Sequence, residues 1–487
     1  MKAKTKIISH NSLFIISISL MNLFTITLSA YITIPFRILK QEEPDTYSSI
    51  SDYFKYLGDI KYIGEISIGT PRKVIQVLLS FQDYGLYLFN KGTDINNIPS
   101  TYDSAQSTTY KKSSDTHSFY MKKYNVMNFV SDSFIFNSDN NNDLECKNVT
   151  FLYSKDDNGK KNSFLVIGLK LMGDPIRDGE INIVNQLKKN LRYIDTYDWS
   201  LHFDKTNPVN GELLIGSEPH KYNPKIFNEN NYFNSVTKIR EIIDYWSMEV
   251  DKIFFDINEN EQISVDGSSI LTFTHSKGFI EGTKYYGNLI KKYFFDEFIE
   301  KGKCNIETYK TYSKVYSCTN TPEIKKELKS KFPTLKFLKT SYLYTFELTY
   351  DDLFKEKKDK IYFLIWFSDF PSFSWEIGLP FLQKYFFNFN YDNKLISFYN
   401  NDLNLNQNNE KNKGYSLRKI FVFILVVFVF AGVNFLVGRK YILLSRKKNK
   451  LNAEELENEF TKKDFNSSES KYTPPITNKL TTNILYI

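Results

Sequence analysis

Cysteine is scarce in this chain, with three residues among 487. So few exclude a disulfide-scaffolded fold and most structural zinc sites. No two cysteines stand at Cys-x-x-Cys spacing, and the five histidines form no His-Glu-x-x-His. No metal and no cofactor is expected. Glycine and proline are also few, at 20 and 14, which excludes collagen-like and low-complexity classes. A phosphate-cradling loop, a Gly-x-Ser-x-Gly elbow and a Gly-x-Gly-x-x-Gly after a strand are all missing. The net charge of +7 is dispersed, and part of it flanks an apolar run. No basic-aromatic module is present, so nucleic acid is not an expected partner.

Aromatic side chains are abundant instead, with 42 Phe, 34 Tyr and an aromatic share of 16%. They pack well on pleated surfaces. A hydrophobic share of 41% against 24% charged residues places the chain among globular proteins. Its length suits two domains with sizeable cores.

Two apolar runs bracket the chain. Lys2, Lys4 and Lys6 precede a run from about Leu13 to Leu28, and Ser29-Ala30 offers a small-residue cleavage site before Tyr31. Residues 1–30 are expected to be a signal peptide. The run continues into Ile32 and Ile34, which leaves an uncleaved signal-anchor as the alternative. Ile420 to Val437 carries no charge and is long enough to span a bilayer as a helix. Arg439, Lys440, Arg446, Lys447, Lys448 and Lys450 follow it and favour a cytosolic C-terminus. These features predict a single-pass type I membrane protein of the secretory pathway. Its linker would span residues 401–419, its transmembrane helix 420–438 and its cytosolic tail 439–487. Asn148-Val149-Thr150 is a glycosylation sequon, and the neighbouring asparagines 140–142 suggest a surface loop.

Between the two runs, short strands dominate. Tyr62 to Ile68 alternates, Val74 to Leu79 is continuously apolar, Leu86 to Phe89 follows, and Gly69-Thr70-Pro71 supplies a turn. Short helices are expected at Ile181–Lys189, Gly287–Lys301 and Ile324–Lys331. The pattern predicts an all-β protein of two similar halves, 59–230 and 231–400, after a lead-in or propeptide-like segment 31–58. Val166-Ile167-Gly168 and Trp375-Glu376-Ile377-Gly378 each set a glycine late in a half, as where a strand passes tightly behind another backbone. Their repetition suggests a duplication.

Tyr62 to Pro71 resembles the opening of the pepsin-like aspartic proteases almost residue for residue. Gly211-Glu212-Leu213-Leu214-Ile215-Gly216, Tyr245-Trp246, Phe332 to Phe337, Trp375 to Leu382 and Asn388 to Phe398 resemble later segments of that family in order. The resemblance covers roughly residues 59 to 400. It implies a bilobal pepsin-like fold with few short helices, a second-lobe disulfide between Cys304 and Cys318, and a cleft for an extended peptide. Cys146 is then left over.

Catalysis in that family needs two facing carboxylates that share a proton, one from an Asp-Thr/Ser-Gly turn in each lobe. In the first lobe, the ungapped register between Gly69-Thr70-Pro71 and Leu86-Tyr87-Leu88 puts Ser80-Phe81-Gln82 at the turn. In the second lobe, Ile263 to Thr272 aligns without a gap and puts Val265 at the aspartate position. Neither Ser80 nor Val265 can act as a carboxylate base. The alternative pair is Asp83, which needs an insertion and a matching deletion, and Asp266, which needs a shortened turn. Tyr120 takes the place of the flap tyrosine, with Met121 and Lys123 where the family has glycines. The resulting expectation is a membrane-anchored pseudoprotease binding a peptide or protein ligand by strand addition. The alternatives are an active aspartic endopeptidase using Asp83 and Asp266, and a structural surface protein without cleft function.

Overall fold

The computed structural model describes residues 31–39, 49–89, 102–112, 128–138, 143–154, 164–171, 180–237, 245–258, 261–309, 313–368, 374–399, 439–440 and 442–455. The chain divides into two units, 1–405 and 406–487. In the second unit, residues 442–455 are helical and exposed. Among the described residues no helix is long and apolar enough to cross a membrane. The expected signal segment 1–30, linker 401–419 and span 420–438 all lie outside the described residues.

The first unit is mostly strand, with short helices. In β1 (Ile32–Leu39), Ile32, Ile34, Phe36 and Ile38 are buried. β1 pairs antiparallel with Asn210–Ile215 on one side and with β2 (Lys61–Ile68) on the other. The segment 31–58, expected as a lead-in, therefore supplies a strand of the main sheet. The same alternation that extended the N-terminal apolar run gives this strand its core face. The segment also supplies helix α1 (Ile50–Leu57). Ser49 caps α1 by accepting from the Asp52 N–H, and Ile50, Tyr53, Phe54 and Leu57 form its buried stripe.

Two copies of one motif organise the lobes. In the first, β2 pairs antiparallel with β3 (Lys73–Ser80). After a turn the chain returns as β4 (Leu86–Phe89), and β5 (Phe164–Gly168) lies between them, parallel to β3 and antiparallel to β4. In the second, β6 (Ser247–Val250) pairs with β9 (Ser269–Phe273). β11 (Ser374–Ile377) lies parallel to β9 and antiparallel to β10 (Ile280–Gly282). The hairpin of β7 (Lys252–Asn258) and β8 (Glu261–Asp266) belongs to a separate four-stranded sheet. The expected helical regions hold short α- and π-helical turns at Ile183–Asn190 and Lys284–Glu300, and an α-helix at Pro322–Lys331.

Cys304 and Cys318 form a disulfide as direct partners on adjacent antiparallel strands. With a sequence separation of 14, the bond is worth about 3 kcal/mol through the unfolded chain. Replacing both cysteines by alanine is expected to lower the unfolding free energy by about that amount in urea titrations, whereas a loss below about 1 kcal/mol would show that the bridge constrains little. Cys146 is fully buried and unpaired, and burial pushes its thiol up to about 12. It is inert at physiological pH. Asn148 is exposed and lies in a strand, while asparagines 140–142 lie outside the described residues. Asn148 has φ 59° within Asp143–Ser154, where the pairing register shifts between Asp132 and Phe134. The extra residue of a β-bulge accounts for that conformation. Its Oδ1 accepts from Lys111 Nζ at 2.8 Å.

Candidate functional site

The pairing registers locate both site turns without reference to residue type. In the first lobe Leu79 pairs with Ile167, Ser80 with Gly168, and Leu86 with Ile167 from the other side. In the second, Phe273 pairs with Ile377 in parallel, and Glu281 pairs with Glu376 on the antiparallel side. The turns therefore span 80–85 and 274–279, with no gap between them. Ser80 corresponds to Thr274, Phe81 to His275, Gln82 to Ser276 and Asp83 to Lys277. The glycines behind the turns agree with this. A Cβ on Gly168 would come within 2.6 Å of Asp83 O, and one on Gly378 within 2.5 Å of Lys277 O.

This corrects the second-lobe register read from sequence. Val265 is buried in β8, and Asp266 pairs with Ile253 in the same hairpin. Neither stands at the turn that mirrors Ser80. Thr274 does, and it was missed because Ile263 to Thr272 matches the family's side-chain pattern one strand too early. The signal that finds it is Phe273-Thr274-His275-Ser276 followed by Ile280-Glu281-Gly282, an apolar strand, a turn and a returning strand like Leu79 to Leu86. Asp83 lies in the first turn, three residues beyond the mirrored position. Tyr120 lies outside the described residues.

Side-chain bonding closes the first turn on itself and ties the second to the strands beside it. Ser80 Oγ donates to Asp83 Oδ2 at 2.6 Å and accepts from the Gln82 and Asp83 N–H groups at 3.3 and 3.2 Å. Asp83 is thus tied back to its own turn. Thr274 Oγ1 donates to the Ile377 carbonyl at 3.3 Å. Lys277 reaches Glu281 Oε2 at 3.0 Å and also pairs with Glu376. Burial works against the Lys277 ammonium, but the two carboxylates outweigh it and hold its pKa above the usual lysine range.

The two turns meet through rings. Phe81 and His275 stack with centroids 3.9 Å apart and planes 16° apart. Trp199 and Phe389 flank His275 at 5.8 and 5.7 Å, and Tyr62 packs edge-on to Phe81 at 5.2 Å. Tyr62 OH donates to the His275 carbonyl at 2.8 Å. Trp246 Nε1 of the second lobe donates to the Leu169 carbonyl at 2.9 Å, just behind the first turn. His275 is 1% exposed, and neither ring nitrogen has a hydrogen-bond partner among the described residues. Burial pushes its pKa down to about 3, so the ring is neutral wherever the protein is folded near neutral pH.

Beside the stacked pair lies a pocket of about 300 Å³, lined among others by Phe81, Gln82, Tyr245, Ser247, Thr274 and Lys277. Its wall mixes apolar rings with hydroxyls and the Lys277 ammonium. Among the described residues no three His, Cys, Asp or Glu side chains are grouped to hold a metal. At the mirrored centre stand two hydroxyls, Ser80 and Thr274, neither of which ionises in the working range of a carboxylate.

Comparison with known proteins agrees with this architecture. The crystal structure of basic 7S globulin from soybean superposes with a TM-score of 0.50 at 10% identity, covering 76% of this chain and 95% of the globulin. Conglutin gamma, a unique basic 7S globulin from lupine seeds, gives 0.52 at 10% identity with the same coverage. At that identity the likeness concerns the fold alone. No curated protein matches the sequence. The family description "Eukaryotic aspartyl protease" matches residues 61–400, which takes in both mirrored turns, and the chain belongs to the eukaryotic aspartyl protease family.

Proposed function

We propose that this protein is a non-catalytic member of the family, a type I membrane protein whose lumenal or extracellular cleft binds an extended peptide or protein segment. The observation that carries this reading is the pair of hydroxyls, Ser80 and Thr274, at the two mirrored positions where a proton-sharing carboxylate pair would stand. Asp83 is held by Ser80 within its own turn, and Asp266 belongs to another sheet. This placement supports the non-catalytic reading. The pocket beside the turns supports ligand binding. The apolar run 420–437 and the basic residues after it support anchoring, and the exposure of Asn148 suits glycosylation of a lumenal domain.

The test is to secrete residues 31–405 and to follow cleavage of an unfolded protein substrate from pH 3 to pH 7, with and without pepstatin. The expected result is no pepstatin-sensitive cleavage at any pH from a protein with a cooperative melting transition. Pepstatin-sensitive turnover would overturn the proposal, and Asp83→Asn would be the first variant to make.

A further inference from the structure

Leu395–Tyr399 is the last described strand of the first unit, and the pairing registers fix what surrounds the point where the chain leaves it. Tyr399 pairs with Tyr232 on one side, and Phe398 pairs with Phe387 on the other. Farther along the sheet Asn388 pairs with Ser200, and Phe203 with Gly211. The stretch before Tyr232 and the turn 204–210 therefore lie at the same end of the sheet as the exit. Each carries an exposed apolar side chain, Ile226 at 47% and Val209 at 37%.

A third stands beside the exit, at the sheet edge. Leu343 is the most exposed large apolar side chain among the described residues, at 89%. It sits at the tip between Leu335–Lys339 and Tyr344–Leu348. Its φ of 50° is a left-handed conformation that leucine adopts at a cost. Tyr342 roots the tip next to the exit. Its hydroxyl donates to the Asn234 carbonyl, and its ring packs on Phe233 at 5.2 Å and on Phe398 at 5.8 Å. Phe227, next to Ile226, packs on Tyr399 at 5.0 Å. Ile226 and Leu343 thus each adjoin a ring seated on one of the last two residues of the strand. Single exposed apolar residues are ordinary, but these cluster around one chain exit.

Cations accompany them. Arg37 is exposed opposite Asn210 at this end, Lys225 is exposed before Ile226, and Lys205 is exposed in the turn with its ammonium 5.8 Å from the Phe386 ring centre. Asp204 is occupied within that turn, accepting from the Thr206 N–H at 2.8 Å and hydroxyl at 2.7 Å. Apolar tips among lysines and arginines suit a membrane interface, where the tips enter the headgroup layer and the cations meet phosphates. Residues 400–419 separate Tyr399 from the apolar run that begins at Ile420, and a coil of that length averages about 25 Å from end to end.

We propose that this end of the sheet rests on the lipid bilayer, with Val209, Ile226 and Leu343 inserted among the headgroups. The inference rests on the reading of 420–437 as a membrane anchor and names the face that the anchored domain turns toward the lipid.

The experiment uses the full chain reconstituted in phosphatidylcholine vesicles, with and without doxyl-labelled lipid as quencher. An environment-sensitive fluorophore is attached in turn to Val209→Cys, Ile226→Cys, Leu343→Cys and Val74→Cys. Cys146 is buried and Cys304 is bonded to Cys318, so the label goes to the new thiol. Val74 is the control. It is 59% exposed but lies toward the opposite end of the sheet, since it pairs with Ser67 whereas Arg37 pairs with Ile63. The expected result is a blue-shifted emission and about threefold stronger lipid quenching at 209, 226 and 343 than at 74. In Ile226→Asp/Leu343→Asp the quenching at 209 should fall to the level at 74, with the melting temperature unchanged. Vesicle flotation separates the two readings. A chain that does not float with the vesicles would sink the anchor and this proposal together. A chain that floats, with quenching at the three positions no stronger than at 74, would overturn this proposal alone. Blue-shifted labels that the lipid quencher does not reach would mean that protein covers the face, a second copy included, and would overturn it too. So would quenching at 209 that survives the double variant, because apolar insertion would then not hold the face.

Discussion

Gly378→Ala is expected to cost roughly 3–5 kcal/mol of unfolding free energy, at the upper end of what one methyl group does. Gly378 has φ −102°, so alanine meets no backbone strain there, and the whole effect is steric. Its Cβ would lie 2.0 Å from Phe279 O and 2.5 Å from Lys277 O. Both are main-chain atoms of the second turn, so no side chain can swing aside. The turn must move, and with it the stacked His275. Gly168→Ala should behave alike in the first lobe, where its Cβ would lie 2.5 Å from Gly85 N. Gly267→Ala, with nothing within 4 Å, is the control and should stay within about 0.5 kcal/mol of wild type. Urea titrations of the three variants decide the matter. A cost at Gly378 below about 1 kcal/mol would mean that the strand does not pass this closely behind the turn.

The second large effect concerns acid. His275 has its pKa pushed down to about 3 from an unfolded value of 6.5. Below pH 6.5 the unfolded chain takes up a proton at this residue that the folded chain refuses. Stability tied to His275 is therefore complete above pH 6.5 and falls as pH drops toward 3, by about 1.4 kcal/mol per pH unit. His275→Phe keeps a ring against Phe81 and removes the proton site together with two nitrogens that lack partners. The variant should be more stable than wild type by about 1–2 kcal/mol at pH 7. That advantage should widen by roughly 2 kcal/mol between pH 6.5 and pH 4.5. Unfolding free energies of both proteins across that window provide the check, and stability curves that run parallel would show that His275 takes up its proton while folded.

Much of the scaffold was legible locally. Alternation marked β2, the continuous apolar run marked β3, and the glycines at 168 and 378 marked the places where one strand crosses close behind another. Each of these signals depends on a residue and its near neighbours, because strand faces repeat every second residue. The first turn was legible for the same reason, since Thr70-Pro71 and Leu86 bracket Ser80 at short range.

The second turn was not. Ile263 to Thr272 carries the right side-chain types, and only the parallel pairing of Ser269–Phe273 with Ser374–Ile377 shows that the turn begins at Thr274. That pairing joins strands far apart in sequence, with the bond from Thr274 to Ile377 spanning 103 residues, and a one-residue or one-strand slip leaves the local pattern almost unchanged while moving every side chain to a new place. The same holds for Ile32 to Ile38, whose alternation reads as the end of an apolar leader until β2 and Asn210–Ile215 are seen on either side. By itself, the sequence determined the family and the strand framework, and it put Ser80 at the first turn, because these rest on short-range pattern. Which residue opens the second turn, and that Phe81 and His275 stack between the two turns, were decided by long-range pairing, which no local pattern encodes.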